Sequence, residues 1–412
     1  MVVPFTPPRF GWTINLYLVS VVAFGLGTSI FDLVYNLHLL ELGFSASDLG
    51  TLWAIGLAVM SVGAIPVGLL ADRFGRRWFF VGGSLLFGAS MLAVPFTTSL
   101  FVLVLIQVLN AVGAIAMFTT ESATMAGEVD ADRQTILFST YYVVYLLADG
   151  VGSLLGGQLP HVLPSGDSSY QTTLFIAGCL GMGIGIIRMF LRLRPESLGG
   201  DRTRRGPRPM LPSPEMLGLA FLAFLIGGSA TLAMRYLNVV LQDGYGWDVG
   251  AIGVIFVVMS VVGFVGAAAT PGLSERLGSA RSAASAMLLI CAAQVGAAWS
   301  PTGLVLLFPL VVRQAAHYFQ MPILETFAVG RAAPGVRSAM ASYREVGFYL
   351  GGAVSAKCYA ALLDLGAYPQ AFLLSAGLAL AAAVMFWAVY GQRLRGTPPA
   401  RELAPGSEPI VP

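Results

Sequence analysis

Ionisable and amide side chains recur at helical spacing inside runs that are otherwise apolar. Thr28, Asp32 and Asn36 stand at i, i+4 and i+8, so they share one helix face, with Ser29 and Tyr35 beside them. Thr231, Arg235, Asn238 and Gln242 form a second stripe, and Arg313, His317 and Gln320 a third, flanked by Gln314 and Tyr318. Gln107 and Asn110 make a shorter fourth. A charge near the centre of a bilayer costs about 2.5–3.5 kcal/mol on insertion scales, so each one needs a partner or a wet cavity. Asp32 can take up a proton, because a desolvated carboxylate can be tuned toward neutral pH while an arginine stays charged. Arg235, Arg313 and His317 can hold an anionic or polar group, and helix-helix hydrogen bonding is the plainer role for the amides. Tyr141, Tyr142 and Tyr145 add hydroxyls. Arg344 and Glu345 are adjacent, so they leave the helix in different directions and are not expected to satisfy each other.

The elements that carry these residues are set by composition. The chain has 412 residues, 56% hydrophobic and only 11% charged, with mean hydropathy +0.78. A soluble domain carries about a quarter charged residues, so this is an integral membrane protein. At about 20 apolar residues per span, twelve spans are predicted. They cover 12–40, 48–70, 78–96, 100–126, 134–159 and 171–193, then 214–242, 248–271, 281–299, 303–330, 337–363 and 368–391. The expected division is a six-helix bundle at 1–193, an Arg-, Pro- and Gly-rich linker at 194–213, a second bundle at 214–393 and a Pro-rich disordered tail at 394–412. Arginines crowd one set of span ends, including Arg73, Arg76, Arg77, Arg133, Arg276 and Arg281, whereas the opposite loops carry Glu41, Asp48, Asp243, Asp248 and Asp364. The positive-inside bias places both termini in the cytoplasm. The first run is too long for a cleaved signal peptide. Cys179, Cys291 and Cys358 lie in apolar runs without metal-ligand spacing and read as buried packing residues.

One short charged hinge organises the rest. Gly68-Leu-Leu-Ala-Asp72-Arg73-Phe-Gly75-Arg76-Arg77 joins two membrane-length runs, with Gly75 permitting a tight turn. It returns as Gly272-Leu-Ser-Glu275-Arg276-Leu-Gly278-Ser-Ala-Arg281. An offset of 203 residues carries Asp72 to Glu275 and Gly75 to Gly278, and also Gly43 to Gly246, Gly50 to Gly253 and Asp32 to Arg235; an offset of 204 carries Glu121 to Glu325. Such constancy marks two halves repeated in parallel about an axis along the membrane normal.

The hinge resembles the loop 2–3 signature of the major facilitator superfamily, and the weaker downstream copy lies where that family also has one. The resemblance covers about residues 10–393. It implies an all-α membrane protein of twelve helices in two pseudo-symmetric bundles. It also implies that spans 1, 4, 7 and 10 line a central cavity. Asn36, Asn110, Tyr141, Tyr145, Arg235, Asn238, Arg313 and His317 then become expected substrate contacts, and Asp32 the expected proton-coupling residue. Arg344 and Glu345 become either substrate contacts or an inter-helix lock. By the same resemblance, Glu121 is expected to pair with Arg76 or Arg77, and Glu325 with Arg281. Together with Gly68, Asp72, Arg73, Gly75 and Glu275 these would form a cytoplasmic gate. Gly152-Ser153-Leu-Leu-Gly156-Gly157 resembles an element of the drug–proton antiporters, except that Ser153 replaces a proline and Ala148 stands where a further glycine is usual.

The expected function is secondary transport with no bound cofactor, driven by a proton gradient across a bacterial inner membrane. Efflux of small organic or amphipathic compounds is the first reading. Uptake of an organic anion on Arg235, Arg313 and His317 is the second. A lipid flippase or a non-transporting sensor on the same scaffold is the third. Protonating Asp32 would release Arg235 and shift the balance of inward- and outward-open states; a permanent structural bridge is the alternative. Expected partners are a small-molecule substrate and the bilayer, with no nucleic acid, and the chain is expected to be a monomer. No Walker-type loop, His/Cys cluster or paired catalytic carboxylates appear, which argues against ATP drive and against an enzyme.

Overall fold

The computed structural model describes residues 10–163, 169–193, 212–330 and 337–391. Among them are twelve long helices and no strand: α1 Trp12–Glu41, α2 Ala46–Phe74, α3 Arg76–Ala93, α4 Leu100–Ala126, α5 Ala131–Val162, α6 Ser169–Met189, α7 Pro214–Arg235, α8 Val249–Leu277, α9 Ser279–Ala298, α10 Gly303–Gly330, α11 Arg337–Asp364 and α12 Tyr368–Phe386. Eleven are long and apolar enough to cross a membrane. The exception is α10, whose middle is diluted by Arg313, Gln314, His317 and Gln320. The expected linker at 194–213 and tail at 394–412 lie almost wholly outside the described residues.

Packing repeats as the sequence does. In the first bundle α1 packs on α5 and α6, α3 on α4 and α6, and α2 on α4. In the second, α7 packs on α11 and α12, α9 on α10 and α12, and α8 on α10, the same pairs carried six helices on. Two seams join the bundles, α5 on α8 and α2 on α11. Both rest on small residues. A β-carbon on Gly157 would lie 2.8 Å from the Val249 carbonyl oxygen and 3.0 Å from Gly253 Cα, and one on Gly50 would collide with Ala360 Cβ. Gly50 and Ala360 are Gly253 and Gly157 related by the 203-residue offset. Close backbone approach replaces the hydrophobic drive that is missing between helices in lipid.

The turns repeat as well. Gly75 and Gly278 have φ of 102° and 82°, and Gly43 and Gly246 have φ of 88° and 68°. Each is a helix-terminal position that a side chain would strain, which is why the repeat keeps glycine there. The span predicted as continuous over 214–242 is broken at Tyr236 and resumes as Leu237–Val239 and a π-helical turn at Val240–Gly244. Cys179 and Cys358, expected inside, are exposed on helix surfaces, and Cys291 is half-buried. In a membrane protein the outer helix faces are apolar, so an apolar run does not say which side is packed.

Candidate functional site

A cavity of about 400 Å³ lies between the bundles, walled by α1, α2, α4, α5, α7, α8 and α10 with two residues from α3. Of the expected site residues, Asp32, Asn110, Tyr145, Arg235, Arg313 and His317 line it. So do the aromatic rings of Phe24, Phe31, Trp53, Phe118, Phe256 and Tyr318. The wall therefore combines charged, amide and hydroxyl side chains with aromatic rings, a mixture that can fix the orientation of a small organic ligand.

The charges are unequally compensated. Arg235 Nη1 lies 3.7 Å from Asp32 Oδ2, and its guanidinium stacks 4.2 Å from the Trp53 ring centroid. Arg313 is 3% exposed, and among the described residues no carboxylate pairs with it. Its Nη1 donates to Gln314 Oε1 at 3.0 Å, while its Nε has no partner. A buried cation with a vacant donor is costly unless an anion completes it. His317, one helical turn on, lies against Tyr318 edge-on. Asn110 Nδ2 donates to Ser90 Oγ at 3.0 Å.

Other expected contacts fall elsewhere. Asn36 and Asn238 are buried outside the cavity lining and join α1 to the break after α7. Asn36 Nδ2 donates to the Arg235 carbonyl oxygen and to Asn238 Oδ1, and Trp53 Nε1 donates to Asn36 Oδ1 at 3.0 Å. Asn238 Nδ2 in turn donates to the Leu33 carbonyl oxygen at 2.8 Å. Asn36 thus satisfies a carbonyl that the broken helix frees and Asn238 binds carbonyls of α1, which commits both amides to the junction of α1 with the break. Tyr141 stacks between Tyr17 and Tyr145 and lines a second space of about 560 Å³ toward the α2–α3 end, walled by α1, α2, α4, α5 and α11. Phe118 borders both spaces.

The opposite end, which carries the α1–α2 turn, is held shut. Asp364, the last residue of α11, accepts hydrogen bonds from the backbone N–H groups of Ala46 and Ser47 at 2.8 and 2.9 Å, and from Ser47 Oγ. A carboxylate on a helix N-terminus is favoured by the exposed N–H groups and the dipole. At the repeat-related position His161 Nε2 lies 3.2 Å from Asp248, the N-cap of α8. Lys357 donates to Thr51 Oγ1 at 2.5 Å across the same seam as Asp364.

The gate residues need correction. Glu121 is buried and pairs with Arg188 at 2.5 Å, rather than with Arg76 or Arg77. Arg188 also donates to Ser20 and Ser84, and Tyr17 donates to Glu121 at 3.0 Å. Arg77 reaches the Met189 carbonyl oxygen at 3.5 Å, and Arg73 lies over Phe74. Glu325 lies 3.7 Å from Arg344, not beside Arg281, and Arg344 also pairs with its neighbour Glu345 at 2.5 Å. Long side chains can bend back to meet even where their Cβ directions diverge. Glu275 and Arg281 are exposed. Gly68 borders the α2–α3 space, Gly75 makes the turn, and the Asp72 side chain lies outside the described residues.

Two charged residues outside the expected set also lie within the helices. Asp149 lines the cavity one turn beyond Tyr145, so Tyr141, Tyr145 and Asp149 at i, i+4 and i+8 were the available signal. Arg188 is a charge inside the sixth apolar run, and the cost of burying it pointed to a buried acid.

Residues 17–356 match the family model described as Major Facilitator Superfamily. The chain is 25% identical over 214 residues to the 4-hydroxybenzoate transporter PcaK of Pseudomonas putida, a stretch covering 50% of this chain and 46% of that protein. It is 27% identical over 270 residues to a chloramphenicol resistance protein of Streptomyces lividans, covering 63% and 67%. To a gallate transporter of Pseudomonas putida it is 23% identical across 94% of both chains. Among solved structures, a mutant of the nucleoside transporter NupG superposes with TM-score 0.75 at 14% identity, covering 92% of this chain and 100% of that one. A bacterial homolog of the lysosomal transporter Spinster gives 0.74 at 12% identity, covering 92% and 96%. These likenesses show the fold.

Proposed function

Because this chain belongs to the Major Facilitator Superfamily, and so is a membrane transporter rather than an enzyme, we propose that it moves a small aromatic organic acid across the bilayer together with a proton. Arg313 carries the reading: it is a buried guanidinium at the cavity wall with no carboxylate partner among the described residues and an unused Nε–H. A planar carboxylate matches the guanidinium fork, and the aromatic lining covers the ring behind it. Relatives named for 4-hydroxybenzoate and gallate support the same substrate class.

Asp32 supplies the coupling in this reading. While ionised it holds Arg235 at 3.7 Å. Protonated, it frees Arg235 to give the substrate a second cation beside Arg313. Proton and anion then favour each other's binding, and the linkage is reciprocal. The arginine-rich α2–α3 end is taken as cytoplasmic. On that orientation the sealed α1–α2 end faces outward, and the bundles rock about the midplane site.

Efflux of neutral aromatic compounds in exchange for protons is the second reading. The similarity to the chloramphenicol resistance protein favours it, as does the Gly152–Gly157 element at the α5 seam. Proteoliposomes with an imposed pH gradient separate the two. The proposal expects labelled 4-hydroxybenzoate to accumulate on the alkaline side, with little flux of chloramphenicol. Gradient-driven chloramphenicol flux without any flux of aromatic acid would overturn it.

A further inference from the structure

Asp149 is used neither by the Arg313 anchor nor by the Asp32–Arg235 pair, yet it stands at the cavity wall where the bundles meet. Its carboxylate accepts a hydrogen bond from Ser29 Oγ on α1, in its own bundle, and one from Ser260 Oγ on α8, in the other, at 2.6 Å. Asp149 therefore ties three helices together across the α5–α8 seam. The seam is built for close approach at this level. A β-carbon on Gly253 would lie 2.8 Å from the Ser153 carbonyl oxygen and 3.0 Å from Gly157 Cα.

The clasp has a second resting position. Ser260 Oγ also lies 3.0 Å from the carbonyl oxygen of Phe256 on its own helix. When the seam parts, the hydroxyl can turn to that carbonyl and is not left without an acceptor, so opening avoids the cost of a buried unsatisfied donor. The charged and titratable groups around the same cavity are Asp32 on α1, Tyr145 on α5, Arg235 on α7, and Arg313, His317 and Tyr318 on α10. Of the bases, Arg235 is engaged by Asp32, and among the described residues none forms an ion pair with Asp149. The carboxylate is held by hydroxyls alone.

We infer that Asp149 is a second proton-accepting residue of the transport cycle, clasping α5 to α8 while ionised and letting the seam part when protonated. A hydrogen bond to a carboxylate is about twice as strong as one between neutral groups, so a proton on Asp149 weakens its hold on Ser260. The cavity gives the proton its route. The step moves only a proton, from water in the cavity to Asp149 Oδ and back. The inference rests on the transporter reading, but not on which substrate is carried.

The test is a distance measurement that uses no substrate. Spin labels are placed through Val162→Cys and Trp299→Cys, exposed positions on opposite bundles at the α1–α2 end, with Cys179, Cys291 and Cys358 replaced by serine. The protein is held in lipid nanodiscs and pulsed electron spin resonance is recorded at pH 8 and pH 5. The labelled parent is expected to show a long-distance population that rises about fivefold at the lower pH, the difference between a charged and a neutral hydrogen bond. Asp149→Asn should show the long-distance population already at pH 8 and no response to pH, while Asp32→Asn keeps a response. Ser260→Ala removes only the hydroxyl on α8 and should raise the long-distance population at pH 8. It keeps the test available where the asparagine variant does not fold. A pH response in Asp149→Asn equal to the parent's, no response in the parent, or a Ser260→Ala distribution identical to the parent's would overturn the inference. Because no substrate is present, these outcomes are independent of whether an aromatic acid is carried.

Discussion

Arg235 Nη1 lies 3.7 Å from Asp32 Oδ2, and the two residues occupy one position of the repeat, 203 residues apart. Duplication put the two positions face to face across the cavity, and divergence made one acidic and the other basic. Both side chains remain partly exposed, at 47% and 24%. Such a pair contributes little to stability, about 1 kcal/mol at most, and its proposed role is the coupling that its rupture permits. Asp32→Asn is therefore expected to keep substrate counterflow in proteoliposomes while losing accumulation driven by a pH gradient. Unchanged gradient-driven accumulation in that variant would remove Asp32 from the coupling step.

Arg188 and Glu121 should behave in the opposite way. Both are buried, at 2.5 Å, and Ser20, Ser84 and Tyr17 complete the network. Removing one partner strands the other charge, which costs about 3–5 kcal/mol. Arg188→Met is expected to lower the Tm in detergent by several degrees, and Arg188→Met with Glu121→Leu to recover most of it. Thermal unfolding followed by tryptophan fluorescence measures both; a double variant no better than the single one would deny that the pair acts as a unit.

Gly157 packs so close to α8 that a side chain has no room. Gly157→Val should cost the closed seam about 1–3 kcal/mol, the usual range for overpacking. The α1–α2 end would then stand open. Accessibility of a cysteine introduced at Ala233, which lines the cavity on α7 away from this seam, to a water-soluble maleimide reports this, with faster labelling expected in the valine background.

Asp364 caps α2 from the other bundle. Asp364→Ala removes acceptors from two backbone N–H groups and is expected to weaken the seal by about 1 kcal/mol, as the loss of an N-cap does. The same maleimide assay, read at the Ala233 position, should show labelling accelerated about fivefold, and equal rates would show that the seal lies elsewhere.

The scaffold was legible because the repeat writes itself in residues that have a backbone reason to persist. Gly75 and Gly278 hold positive φ, and so do Gly43 and Gly246. Asp32 facing Arg235 followed from the same offset. What the offset does not carry is partner choice inside a bundle. Glu121 has Arg76, Arg77 and Arg188 within plausible reach of its helix end, and only the packing of α4 and α6 against α3 decides for Arg188. Asn36 and Asn238 shared stripes with true cavity residues, but the break at Tyr236 exposed a carbonyl that engages Asn36, and carbonyls of α1 engage Asn238. Helical periodicity assigns a face, and in a bundle of twelve helices that face can meet a cavity or a neighbour. Asp149 is not placed by periodicity alone, because its partners are hydroxyls on two other helices, α1 and α8.

The account turns on Arg313 as the anchor for a carboxylate. Isothermal titration of benzoate and of its neutral isostere benzamide into purified protein, with and without Arg313→Ala, tests it most directly. A hydrogen-bonded charge contributes about 1.5–3 kcal/mol, so benzoate affinity should fall about tenfold to a hundredfold in the variant. Benzamide binding should change little. Equal benzoate affinity in the two proteins would contradict the anchor and, with it, the organic-acid reading of the cavity.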